Sequence, residues 1–161
     1  MGIYQSKCRG KYFGNCYALT RMRLLCCVAG FAALFSGIAV YVFFRNHDMI
    51  LFHFIPRPAF LNTLFIPVIN DSITNSVLLF NLPDGLWFLS GLLFIRALWL
   101  TNAKWRTRYF GIFAAATLAL EIGQIFPTVP GTFDALDVLL MGIFAFMEIS
   151  IFNLFIKRRI R

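Results

Sequence analysis

Between Leu24 and Phe44 the chain runs for twenty-one residues without one charged side chain. A helix rises about 1.5 Å per residue, so a run of this length covers a hydrocarbon core of roughly 30 Å. Two further runs share this character: Tyr109 to Phe126 contains only Glu121, and Val138 to Ile156 contains only Glu148. A fourth, Leu86 to Leu100, is shorter and holds Arg96. It gains length if its helix opens near Leu82, with Pro83 in the first turn, where a missing N–H does no harm. The pattern predicts an all-α, polytopic membrane protein. Its single membrane domain, 24–161, is a four-helix bundle with spans at about 24–44, 82–100, 109–126 and 137–156, behind a basic segment over 1–23. At 60% hydrophobic, 14% charged and a mean hydropathy of +0.75, the 161 residues are too apolar for a soluble domain. Disorder and a disulfide scaffold are excluded too, since the four cysteines all precede position 28.

The 15 Lys and Arg outnumber the 7 Asp and Glu, a balance that in a soluble chain would suggest nucleic acid. Their placement excludes it, because the cations fall in short clusters between the apolar runs. Lys7, Arg9, Lys11, Arg21 and Arg23 precede the first run. Lys104, Arg106 and Arg108 lie between the second and third, and Lys157, Arg158, Arg159 and Arg161 follow the fourth. The other side has only Arg45 and Arg57, beside Asp48, Asp71, Asp84, Asp134 and Asp137. By the positive-inside rule both termini are expected in the cytoplasm.

Leu24 to Phe44 is too long for the apolar core of a cleavable signal, so it is expected to stay as a helix. Gly2 and Ser6 match a myristoylation pattern, with Cys8 nearby, and are read as a chance match. Cys26 and Cys27 are read as reduced packing residues, having no metal-ligand spacing. The outer segment, 46–81, is apolar but broken by Pro56, Pro58 and Pro67, which predicts an interfacial or re-entrant excursion. His47 and His53 within it are read as polar residues at headgroup level.

Placing the polar residues by depth is more informative. Asp84 opens the second span from outside. Glu121 lies six residues before Pro127, near the outer end of the third span, with Gln124 on the same helical face. Asp134 and Asp137 open the fourth, also three apart. Asp84, Glu121, Gln124, Asp134 and Asp137 therefore gather in the outer third, from three helices. Asp84 and Asp134 fit helix-start positions that cap free N–H groups. Glu121 has no such excuse, because it sits near a helix C-terminus, where the dipole opposes a negative charge. Ionisable groups in lipid usually face the bundle interior and mark a functional site. Such a cluster is expected either to raise the pKa of at least one carboxyl, leaving it protonated, or to recruit a cation, and Asp84, Glu121 and Asp137 are the candidate ligands for a divalent one. Deeper in, Arg96 lies twelve residues after Asp84 and Glu148 eleven after Asp137. Two parallel helices would carry them to nearly equal depth, which predicts a structural ion pair.

The strings LPDGLW, EIGQIF and PGTFDALD, in this order, resemble the VanZ-like family of small bacterial membrane proteins. That family opens one helix with Pro-Asp and an aromatic, places Glu-x-x-Gln on the next, and opens the last with Asp-x-x-Asp. Pro83, Asp84, Trp87, Glu121, Gln124, Pro130, Asp134 and Asp137 occupy those positions. Family members commonly carry an Arg before the first Asp of the last motif, where this chain reads Gly131, Thr132 and Phe133. They also carry an Asn four residues beyond the second Asp, where Met141 stands. The resemblance implies a multi-pass protein of the bacterial plasma membrane, linked to the cell envelope and to low-level resistance against teicoplanin-type glycopeptides.

Three functions stay open at this point. The first is an envelope factor whose outer carboxylates bind an envelope component or a glycopeptide-related ligand. The second is a structural or assembly subunit of a larger membrane complex or a homo-oligomer. Small residues at Gly30, Ala32, Ala33, Ser36 and Gly37, and at Ala114 to Ala116, would allow close helix packing there. The third is a metal-assisted enzyme on a lipid-linked substrate, with Glu121 and Asp137 as acid and base or as ligands. No nucleophile-base set, phosphate loop or haem pattern accompanies it, and the expected partners are membrane lipids and other membrane proteins.

Overall fold

The computed structural model describes residues 3–44, 81–126 and 133–160, with side chains at 17–40, 43, 81–126 and 133–152. The described residues form four helices and no strand: α1 (Ile3–Phe44), α2 (Leu82–Leu98), α3 (Ala103–Gly123) and α4 (Ala135–Ile160). The outer segment lies outside the described residues apart from Asn81. With it go Arg45, His47, Asp48, His53, Arg57 and Asp71, and also Gly2, Pro127, Pro130 to Thr132, and the side chains of Ser6 and Cys8.

Local chemistry sets the helix ends. α2 opens with Pro83 in its first turn and closes at Trp99, whose N–H bonds to the Ile95 carbonyl at 3.0 Å. Asn102 then caps α3, its side-chain oxygen accepting the Trp105 N–H at 3.2 Å. At the far end Gln124, Ile125 and Phe126 donate to the carbonyls three residues back, a tightened last turn. In the sequence a proline follows at position 127, and the residue before a proline is disfavoured in the helical region. The helix thus ends before Phe126 and starts at Ala103, taking Lys104, Arg106 and Arg108 onto its first turns. Likewise α1 extends back from the apolar run to Ile3, so the basic segment rides on the same helix. Among the described residues two stretches, Tyr17–Val40 and Ala135–Phe152, are long and apolar enough to cross a membrane.

Contacts give the direction of each helix. Phe94 lies over Gly30 and Trp87 over Gly37, so α1 and α2 are antiparallel. Phe88 stacks on Phe113 at 5.5 Å and Trp99 meets Trp105 at 5.8 Å, so α3 runs back along α2. Asn81 bonds to Asp134 and Arg96 to Glu148, so α2 and α4 are parallel. Arg21, Arg23, Lys104, Arg106 and Arg108 therefore lie toward one end of the bundle. Asp84, Glu121, Asp134 and Asp137 gather at the other.

α2 is the central element and packs against all three others. Pro83, Gly85, Phe88, Ser90, Leu92, Leu93, Arg96 and Ala97 are all buried on it. The packing sets aromatic rings on glycines. Phe94 and Trp87 of α2 lie on Gly30 and Gly37 of α1, Phe113 of α3 on Gly91, and Phe144 of α4 on Gly85. On α1 the buried residues are Cys26, Gly30, Ala33 and Gly37, spaced four, three and four apart, which is one helical seam. Ala32 and Ser36 fall off that seam and are exposed, as are Ala115 and Ala116. On the outside α1, α3 and α4 present Leu24, Phe31, Phe35, Ile112, Leu120, Leu139 and Phe146. The described residues of α3 bury only Glu121.

The glycine seats yield a paired prediction. A Cβ on Gly37 would stand 2.5 Å from Trp87 Nε1 and 3.2 Å from the Pro83 carbonyl oxygen, whereas one on Gly142 would meet nothing within 4 Å. Gly37→Ala should cost about 1–3 kcal/mol through overpacking. Gly142→Ala should be neutral or slightly stabilising, as Ala is the better helix former. Melting temperatures of the two purified variants check the contrast.

Candidate functional site

Two polar assemblies are enclosed by the bundle, at different levels along α2 and α4. In the deeper one, Arg96 is 3% exposed and Glu148 2%. Arg96 donates from Nε to Glu148 Oε1 and from Nη2 to Oε2, the latter at 2.7 Å. This two-point grip fixes the planes of both groups as well as their separation. The guanidinium carbon also lies 4.1 Å from the centroid of the Phe152 ring and 5.5 Å from that of Phe110. Aromatic faces supply part of the attraction that water would otherwise give. Cys26 of α1, 1% exposed, is close enough to feel both charges.

The second assembly occupies the end where α2 and α4 begin and α3 finishes. Asp134 starts α4: its Oδ1 accepts the Leu136 N–H at 2.9 Å, which caps the helix. Its Oδ2 accepts from Asn81 Nδ2 at 2.7 Å, and its own backbone N–H reaches Glu121 Oε1 at 3.4 Å. The other Glu121 oxygen faces Gln124 Nε2 at 3.4 Å. Asp84, in the first turn of α2, lies within electrostatic reach of both Glu121 and Asp137. Asp137, one turn into α4, lies near Asn81, Asp84, Glu121 and Asp134. All five polar residues expected in the outer third are thus brought together, from α2, the end of α3 and the start of α4.

Sequence reading passed over Asn81. It stands at the N-cap position of α2, where Asn is common, but its side chain makes no capping bond. The amide reaches instead across to Asp134, 53 residues away, and is only 3% exposed. The available signal was weak, since an Asn ahead of Leu-Pro-Asp reads equally well as an ordinary cap. Phe110 and Phe152 beside Arg96 were also missed, because a phenylalanine in an apolar run carries no mark of its neighbour.

The electrostatics of the outer assembly are lopsided. Glu121, Asp134 and Asp137 meet the amides of Asn81 and Gln124 and a few backbone N–H groups, and among the described residues no cation is paired with these three. Glu121 and Asp137 are each 7% exposed. Asp137 Oδ1 is fully enclosed and has no hydrogen-bond partner among the described residues. Carboxylates this close in low dielectric share a proton or hold a cation from outside. Among the described residues no group of three or more His, Cys, Asp or Glu side chains is arranged to hold a metal ion. The geometry thus lends no support to a divalent ion on Asp84, Glu121 and Asp137. Asp134, at the rim, differs from the enclosed pair: the Leu136 N–H and then the Asn81 amide hold its carboxyl below the usual carboxylate range. Comparison of the chain with protein-family models, curated proteins and solved structures gave no match.

Two outcomes test the assemblies. Glu148→Gln leaves an uncompensated guanidinium and should cost about 3–5 kcal/mol, whereas Arg96→Met with Glu148→Leu should recover much of the loss. Both are read from melting temperature and yield. Asp134→Ala should cost about 0.5–2 kcal/mol through the lost cap. Because the folded pKa of Asp134 is depressed, its contribution is present above the ordinary carboxylate pKa and fades as pH falls through the folded value. The stability gap between wild type and Asp134→Ala should therefore narrow in acid.

Proposed function

We propose that the chain is a VanZ-like, multi-pass protein of the bacterial plasma membrane whose outer carboxylate cluster binds a cationic group of an envelope component or glycopeptide-related ligand. In this reading the four helices cross as a bundle, with both termini in the cytoplasm. The basic end of the bundle then faces inward, and the acidic end faces the outer leaflet. Support comes from the inverted distribution of side chains: α1, α3 and α4 turn large apolar groups outward, while Arg96, Glu121, Asp137 and Glu148 lie inside. Such an arrangement suits lipid, which solvates apolar surface and excludes charge.

The observation that carries the binding assignment is Asp137 Oδ1, an enclosed carboxylate oxygen that has no donor among the described residues, on a carboxyl set beside Asn81, Asp84, Glu121 and Asp134. A buried acceptor without a partner is costly, and an incoming N–H on a positive group relieves both the missing bond and the charge excess. A primary ammonium meets this need, and it occurs in ethanolamine headgroups and on amino sugars. Service as a subunit of a larger assembly draws on the same outward apolar faces, but it leaves the enclosed carboxylates without a task.

The test uses the purified protein in phosphatidylcholine nanodiscs with graded phosphatidylethanolamine, read by thermal stability. Wild type should be stabilised by the primary ammonium lipid. Asp137→Asn, which keeps the shape and removes the charge, should bind it at least tenfold more weakly, equivalent to about 1.5 kcal/mol. Glu121→Gln, with normal insertion confirmed, should also abolish any teicoplanin tolerance conferred by wild type. A stabilisation that survives in Asp137→Asn, together with unchanged tolerance in Glu121→Gln, rejects the binding role and favours the subunit.

A further inference from the structure

At the opposite end of the bundle, the turn between α2 and α3 carries a surface that the carboxylate reading does not use. α3 opens with Ala-Lys-Trp-Arg-Thr-Arg-Tyr from Ala103. Residues four apart lie above one another on a helix, so Lys104 and Arg108 make one ridge and Trp105 and Tyr109 the ridge beside it. Trp99, which ends α2, folds onto the aromatic ridge. Its ring centroid is 5.8 Å from that of Trp105 and 5.4 Å from that of Tyr109, and those two are 5.9 Å apart. Three rings thus form one plate, with Trp105 and Tyr109 each 38% exposed.

The cations around the plate divide by direction. Arg106 turns inward, donating from Nη1 to the Leu100 carbonyl at 3.0 Å, and so ties the turn to the start of α3. Arg108 sets its guanidinium over the Trp105 ring, 5.3 Å from the centroid, which holds the charge against the aromatic cluster. Lys104 and Arg108 are both exposed, and among the described residues neither is paired with a carboxylate.

We infer that this turn is a binding site for the phosphate of an anionic phospholipid, with Lys104 and Arg108 holding the headgroup and the Trp99–Trp105–Tyr109 plate lying against the upper acyl chains. Tryptophan and tyrosine settle where hydrocarbon meets water, because each ring is apolar over most of its area and polar at one edge. That depth sets the two cations beside the phosphates. Charge selects the occupant: a zwitterionic lipid offsets its phosphate with its own cation, whereas an anionic one leaves the charge for the protein. The inference shares the membrane setting with the proposed function and is independent of the carboxylate site.

The experiment places the full-length protein in phosphatidylcholine nanodiscs and adds brominated phosphatidylglycerol or brominated phosphatidylcholine, which quench nearby tryptophans. Trp99 and Trp105 report the turn, and Trp87, packed on α1, supplies a constant background. Wild type should be quenched preferentially by the anionic lipid. Lys104→Ala with Arg108→Ala should weaken that preference by about fivefold per cation, roughly 25-fold together. Arg21→Ala with Arg23→Ala removes the same charge from α1 and should leave the preference in place. Equal quenching of wild type by both lipids overturns the site. So does a preference that persists without Lys104 and Arg108, or one lost equally without Arg21 and Arg23.

Discussion

Arg96 on α2 and Glu148 on α4 neutralise each other where neither meets water, and the cost of separating them fixes how far one helix can slide along the other. A one-turn shift of about 5.4 Å would break both hydrogen bonds and leave two bare charges inside. Because α2 and α4 are parallel, this lock also sets their far ends. Counting back from the pair by twelve and eleven residues brings Asp84 and Asp137 to nearly one level. The outer carboxylates are therefore held together by an interaction roughly 17 Å away, and they gather although they repel one another. Asn81 and Gln124 ease that repulsion with neutral donors and do not cancel it.

On the membrane reading the bundle solves a second problem around this axis, which is to bring four helices close without a soluble protein's apolar core. In lipid there is little gain from hiding leucine, so helices associate through close fit and internal polar bonds. Rings on glycines provide the fit. Trp87, Phe94, Phe113 and Phe144 each fill the gap that a missing side chain leaves on the neighbouring helix, and the four contacts are spread along α2, at Gly85, Trp87, Gly91 and Phe94. The polar bonds provide the rest, which explains why the few side chains that α3 and α4 bury carry charge.

Much of this was legible in the sequence because helical rise is a constant and because charge in an apolar run stands out. The meeting of Arg96 with Glu148, and of Asp84 with Glu121, Gln124, Asp134 and Asp137, followed from residue counts alone. Helix boundaries were read less well. Hydropathy placed the third run at 109–126, but the helix takes in Lys104 to Arg108 and stops before the turn that precedes Pro127 in the sequence. Hydropathy was also blind to which helix lies at the centre. α2 looked like the weakest span and is the most enclosed, since a helix wrapped by others has no need of a continuous apolar outer surface. The stripe of small residues on α1 was visible, but only the phase of the seam separates Gly30, Ala33 and Gly37 from Ala32 and Ser36. Asn81 was hidden for another reason: its partner is set by the assembled bundle, and nothing local distinguishes it from a cap.

The lock between α2 and α4 also orders the birth of the protein. Arg96 leaves the ribosome 52 residues ahead of Glu148, an interval of about 3–10 s at ordinary elongation rates of roughly 5–20 residues per second. During that interval the guanidinium has no counterion from α4, and its available shelter is the ring of Phe110, which emerges soon after it. On the membrane reading, a nascent chain at this stage should dwell at the insertion machinery with α2 uncommitted to lipid, and arrival of the last helix releases it.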